Sequence, residues 1–394
     1  MSAARLTLLL GADSLLGRRS GVGRMTWQIA RHAREHPEIG TLRLLAGASI
    51  LPPNWLDGLE RGGGSGIPSS GESGLRERLG RVPGAAALRS AWLRRWLNRA
   101  ARALPGPVVY HEPNLIARPF DGATVLTIND LSWRVERGFH PDRRTAWIER
   151  RLPGSIAQAT RFVAISAFTA GEMTRELDIP RERIDVVPLA PSALFRPIPT
   201  KEAAATLGRH GLHAGGFVLS VSTREPRKNF DRLLAAHTLL PDTLRARHPL
   251  AIAGGAGWGS ALEGEQAERA LRAGHLRLLG HIADEELVAL YSQCSAFAFP
   301  SLYEGFGLPV IEAMACAAPV IAAATTATGE TAGDAALLVD PLDERSIADA
   351  LRLALEDSAS ADRLRRLGLA RAATFTWEGT IARLIASWRR ALAA

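Results

Sequence analysis

The chain has 394 residues and a formal net charge of +8, with 46% hydrophobic and 22% charged residues. This length predicts two domains, and this balance excludes a wholly disordered chain. No apolar run approaches the roughly 18 residues of a membrane-spanning helix, and two cysteines without metal-ligand spacing predict neither a disulfide framework nor a zinc site.

Positive charge is concentrated in the first half of the chain. Residues 1–200 contain 28 Arg, no Lys and 18 Asp or Glu, whereas residues 201–394 contain 18 Arg, 2 Lys and 22 Asp or Glu. A basic first half indicates contact with phosphates, an anionic membrane surface or nucleic acid. The two lysines are Lys201 and Lys228, and a lysine retained in an arginine-rich chain indicates that a compact ammonium is needed there.

Short apolar runs alternate with longer helical patterns, which predicts an α/β fold with parallel sheets. The N-terminal run predicts a first strand rather than a signal peptide, so the expected compartment is the cytosol. The predicted strands span residues 6–10, 42–46, 108–111, 124–128, 161–165, 185–188, 217–222, 250–253, 276–279, 296–299, 320–322 and 336–339. Each half therefore has about six strands, enough for one doubly wound sheet, and the proline-rich residues 188–200 predict the connection.

Three further segments have a clear pattern. Residues 57–74 are rich in Gly and Ser and predict a mobile surface loop. Residues 85–104 predict a helix with an apolar face that includes Leu88 and Trp92 and a basic face of Arg94, Arg95, Arg99 and Arg102. Its interpretation stays open between a sheet-covering helix and a helix that docks on a membrane. The last helix is predicted to begin after the N-cap Thr376.

The most informative segment runs from residue 299 to residue 320. An apolar strand leads into a loop with Gly305 and Gly307, and a helix with Pro309 in its first turn follows. This arrangement places free N–H groups at the carboxyl end of a parallel strand, where anionic ligands bind. Glu304 and Glu312 flank it, and carboxylates beside a phosphate site indicate recognition of sugar hydroxyls.

This segment resembles the E-x7-E motif of the family 4 glycosyltransferases, and the resemblance covers nearly the whole chain. Other segments similar to family motifs are residues 20–24, 110–114, 127–132, 164–173, 222–234 and 328–341. The resemblance implies a GT-B fold, with two Rossmann-like domains facing across a cleft. Residues 1–190 would bind the acceptor, residues 191–375 would bind the nucleotide sugar, and residues 376–394 would cross back to the first domain.

The resemblance also implies roles for individual residues. Glu312 would hold the ribose hydroxyls and Glu304 a hydroxyl of the donor sugar, while Arg227 and Lys228 would neutralise the departing diphosphate. Asp130 completes the catalytic set. The remaining implied donor contacts are Gly305, Phe306, Gly307, Leu308, Thr223 and Asn129, and the implied acceptor contacts are Gly21, Gly23 and His111. The anomeric configuration would be retained, and neither a cofactor nor a divalent metal is expected.

The expected function is transfer of a hexose or 6-deoxyhexose, mannose or rhamnose being favoured, in the synthesis of a bacterial surface polysaccharide such as O-antigen. The expected donor is GDP-linked, with dTDP and UDP as alternatives, and the expected acceptor is a glycan or a polyprenyl-linked precursor. The enzyme would contact the inner face of the plasma membrane peripherally. Two other classes stay open: a non-catalytic carbohydrate-binding protein of the same fold, and a basic nucleic-acid-binding protein, although no nucleic-acid-binding motif is evident.

The chain departs from the family pattern at Asn129, at Ser222-Thr223 and at residues 316–320; the last two changes are steric and mild, and the first is chemical. Asn129 stands where the family usually has the histidine of a His-Asp pair, and that histidine lies beside the 6-hydroxyl of the donor sugar. A 6-deoxy donor would not need an imidazole there, which is one hypothesis. The alternative is that the Asn129 amide donates to the 6-hydroxyl of mannose or glucose.

Overall fold

The computed structural model describes residues 4–16, 21–52, 54–60, 85–136, 138–259 and 261–394. Thirteen strands in these ranges form two sheets. They are β1 (Leu6–Gly11), β2 (Ile39–Ala46), β3 (Ser49–Ile50), β4 (Val108–Glu112), β5 (Thr124–Ile128), β6 (Arg161–Ala164), β7 (Ile184–Val186), β8 (Val218–Val221), β9 (Leu250–Ala253), β10 (Leu276–Gly280), β11 (Ala296–Phe299), β12 (Val320–Ala323) and β13 (Leu337–Val339).

Sixteen α-helices in the same ranges cover the sheets or connect their strands. They are α1 (Gly21–Glu35), α2 (Trp55–Glu60), α3 (Ala85–Arg102), α4 (Ser132–Val135), α5 (Asp142–Gln158), α6 (Ala167–Leu177), α7 (Thr200–Arg209), α8 (Phe230–Thr238), α9 (Asp242–Arg247), α10 (Glu265–Arg272), α11 (Asp284–Gln293), α12 (Leu308–Ala315), α13 (Thr326–Ala332), α14 (Glu344–Glu356), α15 (Ser358–Ala372) and α16 (Trp377–Ala393).

Both sheets have the strand order of a doubly wound fold. The first is β3-β2-β1-β4-β5-β6-β7 and the second is β10-β9-β8-β11-β12-β13; all neighbours are parallel except β2 and β3. In the first sheet Leu9 pairs with Arg43 on one side and Tyr110 on the other, and in the second Leu219 lies between Ala251 and Phe297. The order in which successive strands are added to the sheet therefore reverses at β1 in the first sheet and at β8 in the second. Open α/β sheets bind ligands at such a reversal.

The twelve predicted strands are all present, because strands covered on both faces read as continuous apolar runs. Every residue of β1, β5, β9, β11 and β12 is buried. The sequence missed β3, whose two residues run antiparallel to the end of β2 and are too short to show a pattern. We call the seven-stranded sheet with its helices and α16 the first domain, and the six-stranded sheet with its helices the second domain.

Helix α16 packs on the first sheet. The hydroxyl oxygen of Thr376 accepts from the N–H of Gly379 at 3.1 Å, which confirms the predicted N-cap. Trp388 is completely buried in the core of the first domain, with Ile381 and Leu384. Arg390 also pairs with Asp185 beside β7 at 2.8 Å. The chain thus leaves the first domain after β7, builds the second domain, and returns to complete the first.

Helix α3 is only partly buried. Its buried residues are Leu97 and Ala101, whereas Leu88 and Trp92 of the predicted apolar face are 76% and 55% exposed. The predicted helix is therefore present, and only the second half of its apolar face is buried against the first domain. The predicted loop at residues 57–74 begins within α2, and its residues 61–74 lie outside the described residues. Among the helices that the structure describes, none has the length and apolar character needed to cross a membrane.

Candidate active site

The loops after β8 and β11 are joined at the reversal of strand order in the second sheet. β8 leads to a 3-10 turn, Pro226–Lys228, and β11 leads to the glycine-containing loop before α12. Asn229 ends the turn with a φ of +62°, and its side-chain amide donates to the carbonyl oxygens of Pro300 at 2.9 Å and Pro341 at 2.6 Å. This buried amide fixes the two loops relative to each other.

Glu304 lies buried between the two cations of the 3-10 turn. The Nζ atom of Lys228 donates to Oε1 of Glu304 at 2.6 Å, and the hydroxyl of Ser301 donates to the same oxygen at 2.8 Å. Nη1 of Arg227 donates to Oε2 at 3.2 Å. Burial by itself raises the pKa of this carboxyl, but the charges of Lys228 and Arg227 outweigh it, so the pKa of Glu304 is lowered. The structure thus brings together three of the four predicted catalytic residues.

The start of α12 has the geometry that the sequence predicts. Gly307 has a φ of +98°, which favours glycine, and Pro309 lies in the first turn. The carbonyl oxygens of Gly305 and Phe306 accept from the hydroxyls of Thr169 and Thr331 at 3.2 and 2.6 Å, which holds the loop in place. These two hydrogen bonds therefore fix the position of the first N–H groups of α12, which lie beside Glu304.

Gly305 is required for a different reason from the predicted one. A Cβ atom at this position would lie 1.9 Å from the carbonyl oxygen of Asn129, which belongs to the first domain. In this structure the close neighbour of Gly305 is therefore the opposite domain, whereas the sequence predicts that this neighbour is a ligand. Phe306 is buried too, and its ring packs edge-on against Phe375. Donor contacts by these two residues stay a prediction.

Glu312 lies one helical turn into α12 and is 2% exposed. Nη2 of Arg24, near the start of α1, donates to its Oε1 at 2.5 Å, and the Tyr291 hydroxyl lies 3.4 Å from its Oε2. Burial raises the pKa of Glu312 to about 7 against the opposing charge of Arg24. The sequence analysis missed Arg24 as a partner of Glu312, although Arg24 is the last residue of the motif at 20–24.

Asp130 lies at the end of β5, on the first-domain side of the cleft. Its Oδ1 accepts from the N–H and the hydroxyl of Ser132 at 3.0 and 2.6 Å, and its charge raises the pKa of Arg227 across the cleft. The Ser132 oxygen is also 2.7 Å from Nε2 of His140. Because the single hydroxyl hydrogen is donated to Asp130, Nε2 of His140 must carry the proton that it donates to Ser132.

This arrangement makes His140 a neutral hydrogen-bond acceptor. Burial, with Arg144 nearby, lowers the pKa of His140 to about 4. Its Nδ1 atom is buried and has no hydrogen-bond partner among the residues that the structure describes. A substrate hydroxyl could donate to this nitrogen. The sequence gives no local signal for it, because a single histidine outside any motif acquires a role only through the fold.

His111 does not reach the cleft. It is 0% exposed, its Nε2 lies 2.8 Å from the Thr127 hydroxyl, and the indole N–H of Trp388 donates to its Nδ1 at 3.3 Å. Burial lowers its pKa to about 3. The prediction that His111 binds acceptor is therefore wrong, because α16 covers this strand end.

The other predicted residues lie around the cleft without forming one cluster. Asn129 donates through its side-chain amide to the carbonyl oxygen of Pro113 at 3.0 Å. Thr223 is exposed after β8, and Leu308 is half-buried as the first residue of α12. Gly21 and Gly23 lie in the first turn of α1, where Gly21 is exposed and Gly23 is buried. Their contacts with substrate stay predictions.

Several hydrogen bonds cross from one domain to the other near this cluster. The Tyr303 hydroxyl donates to Oε2 of the buried Glu172 and accepts from the N–H of Leu131 at 3.1 Å. Glu330 accepts from the N–H groups of Ala167 and Phe168 at the start of α6, both at 2.9 Å. The structure is therefore closed around the cleft.

The arrangement provides one buried carboxylate that shares two cations, a helix start beside it and a second carboxylate one turn away. A diphosphate that binds here could replace Glu304 as the partner of Lys228 and Arg227. The Glu304 oxygens would then be able to accept hydrogen bonds from sugar hydroxyls. Within the described ranges, no group of three or more His, Cys, Asp or Glu side chains could hold a metal ion.

Comparisons with known proteins agree with this geometry. Residues 212–370 match the family model "Glycosyl transferases group 1". The chain is 32% identical over 372 residues to O-antigen chain mannosyltransferase B of Escherichia coli, covering 94% of this chain and 96% of that protein.

Two solved structures show the same fold. WaaG, a glycosyltransferase involved in lipopolysaccharide biosynthesis, has a TM-score of 0.67 at 16% identity, with 97% of this chain and 98% of that chain covered. HepE of Anabaena, solved with UDP and glucose, has a TM-score of 0.69 at 16% identity, with 96% and 98% covered.

Proposed function

Since this chain belongs to the group 1 glycosyl transferases and is a hexosyltransferase, we propose that it transfers mannose from GDP-mannose to the growing O-antigen of lipopolysaccharide. The relative that aligns with nearly the whole chain is named as an O-antigen mannosyltransferase. The observation that carries the proposal is the buried cluster of Glu304, Lys228 and Arg227 beside the start of α12. Two buried cations at the place proposed for the diphosphate fit the stabilisation of a leaving group.

In the proposed reaction the bond between the anomeric carbon and the diphosphate oxygen breaks. The acceptor oxygen bonds to the anomeric carbon on the same face, so that the configuration is retained, and its proton passes to the leaving phosphate. Lys228 and Arg227 stabilise the charge that develops on the diphosphate, while Glu304 holds a sugar hydroxyl. This division needs no divalent metal, since two cations already face the diphosphate.

The proposed acceptor binds against the first domain. Asp130 and His140 belong to this domain. A hydroxyl of the acceptor could donate to the Asp130 carboxylate or, where the acceptor displaces the groups that bury it, to the Nδ1 atom of His140. Because His140 stays neutral over the physiological range, it accepts a hydrogen bond without adding charge. The acceptor is a glycan chain or its polyprenyl-linked precursor.

The donor is tested by competition between GDP-mannose and GDP-rhamnose in one reaction with a polyprenyl-linked oligosaccharide. One N–H of Asn129 is used by the carbonyl oxygen of Pro113, and an amide has a second N–H for the 6-hydroxyl of mannose. We expect mannose to be preferred by about 10⁴-fold, since a site that bonds a hydroxyl rejects the analogue that lacks it. Preference for rhamnose would replace the proposed donor by a 6-deoxyhexose, and the matched dTDP sugars extend the test to the nucleotide.

Helix α3 supports a peripheral contact with an anionic membrane. Its exposed Leu88 and Trp92 lie in the same helix as the exposed Arg95, Arg99 and Arg102. A helix with exposed apolar and cationic side chains binds at the headgroup boundary of anionic lipid. Contact of α3 with the inner face of the plasma membrane would bring the first domain to a lipid-linked acceptor.

A further inference from the structure

We propose that Arg24 is a positioning residue for Glu312, through which the first domain completes the ribose-binding site of the second. The proposal rests on the proposed function, in which Glu312 holds the ribose of the donor. It adds to that function a dependence of nucleotide binding on a residue from the opposite domain.

The contact between Arg24 and Glu312 is short, buried and directed. Nη2 of Arg24 lies 2.5 Å from Oε1 of Glu312, whose side chain is 3% exposed. Two other contacts hold the guanidinium: Nε lies 3.5 Å from Asp284, and Cζ lies 5.4 Å from the centre of the Phe195 ring. The guanidinium is therefore fixed on several sides while it holds the carboxylate.

The remaining hydrogen-bonding capacity of Glu312 fits a ribose. An ionised carboxylate has about four acceptor positions, two on each oxygen. Arg24 occupies one on Oε1, and Tyr291 approaches Oε2 at 3.4 Å. With the partners that the described residues supply, one position on each oxygen is left, which matches the two adjacent hydroxyls of a ribose. Arg24 and ribose can therefore bind the same carboxylate together.

The charge of Arg24 also favours the ionised form of this carboxyl. Among the described residues, the titratable and charged groups that face Glu312 are Arg24 from α1, Asp284 and Tyr291 from α11, and Cys316 at the end of α12. Arg24 is the cation of this set, and Asp284 acts against it. Because burial already raises the pKa of Glu312 to about 7, removal of Arg24 raises it further. A protonated Glu312 loses an acceptor position that a ribose hydroxyl needs.

The test measures the Kd of GDP by calorimetry at pH 7.5 and pH 9.5 for the wild-type chain, Arg24→Gln, Arg24→Lys and Glu312→Gln. We expect Arg24→Gln to weaken binding by about 10- to 100-fold at pH 7.5, the effect of losing one hydrogen bond to a charged group. This ratio to wild type should shrink several-fold at pH 9.5, where Glu312 ionises without help. Arg24→Lys should lie between wild type and Arg24→Gln.

The control is Arg209→Gln. It removes a surface ion pair with Glu286, which lies in α11 as Asp284 and Tyr291 do, and it should leave GDP binding unchanged. If Arg24→Gln bound GDP with the wild-type Kd while Glu312→Gln bound GDP more weakly, the inference about Arg24 would be overturned and the ribose assignment of Glu312 would stand. Tighter GDP binding by Arg24→Gln would also overturn it, because Arg24 would then compete with ribose. A normal Kd for Glu312→Gln would overturn both this inference and the ribose assignment.

Discussion

Lys228 holds its ammonium group where only 8% of the residue is exposed, 5.4 Å from the centre of the Phe299 ring and in contact with Glu304. Burial, together with the neighbouring charge of Arg227, lowers its pKa. A cation in this position is partly desolvated before the substrate arrives. It can therefore respond to the developing charge of a leaving group with little reorganisation.

Substitution Lys228→Ala should lower kcat/KM by about 10²- to 10³-fold, because it removes one preorganised charge from the transition state. The measurement is the initial rate of sugar transfer at low donor concentration. Lys201→Ala is the matched control, since Lys201 is the other lysine and is exposed in the first turn of α7. A loss below about threefold at Lys228 would place the diphosphate elsewhere.

The residues that sequence reasoning identified and missed differ in how far their partners lie along the chain. Glu304 and Lys228 were found because each lies in a local motif. Arg24 is 288 residues from Glu312, and His140 reaches the cleft through Ser132, so neither role shows in a local pattern. His111 was misassigned because its strand end is covered by a helix more than 270 residues later.

Among the elements, the sequence predicted both the buried strands and helix α3, but it did not predict which part of α3 is buried. A continuous apolar run predicts a strand that is covered by helices on both faces. The apolar face of a helix does not show how much of that face the sheet beneath it covers. Here Leu97 and Ala101 reach the core and Leu88 does not. Because the first half of this apolar face contacts no part of the described protein core, we expect it to contact another surface, such as a membrane.

Helix α3 should bind vesicles that contain anionic lipid and not vesicles of neutral lipid. Replacement of Arg95, Arg99 and Arg102 by Glu should abolish this binding, and 0.5 M salt should weaken it strongly, because exposed charges are screened beyond a few ångströms. The readout is co-sedimentation. Transfer to a soluble acceptor should be unchanged in the variant.

The control for this helix is replacement by Glu of three arginines of α15, namely the exposed Arg363 and Arg366 and the half-buried Arg365. This makes the same charge change on the other domain. If it reduced vesicle binding equally, net charge rather than α3 would be responsible. Equal binding of the wild-type chain to neutral and anionic vesicles would also contradict the prediction.

At the scale of the whole molecule, a carboxylate of one domain caps a helix of the other. Glu330 in α13 accepts from two N–H groups at the start of α6, where the helix dipole favours negative charge. Substitution Glu330→Gln keeps the shape and removes the charge. We expect the open arrangement to gain about two- to fivefold in population, because this exposed contact is a small contribution.

The measurement for Glu330 is the distribution of distances between one label in each domain, without ligand and with saturating GDP. Glu344→Gln is the control, since Glu344 lies in the first turn of α14 and makes the same charge change away from the cleft. An unchanged distribution in Glu330→Gln would show that the capping contact does not bias closure.

The path of the chain also sets an order for synthesis. Trp388, Ile381 and Leu384 fill the core of the first domain, but a ribosome makes them only after the whole second domain. During translation the second sheet can fold as soon as it emerges, whereas the first sheet must wait with the apolar surface under α16 uncovered. The first part of the nascent chain is therefore the last to be completed, and it is a natural client of a chaperone that shields apolar surface.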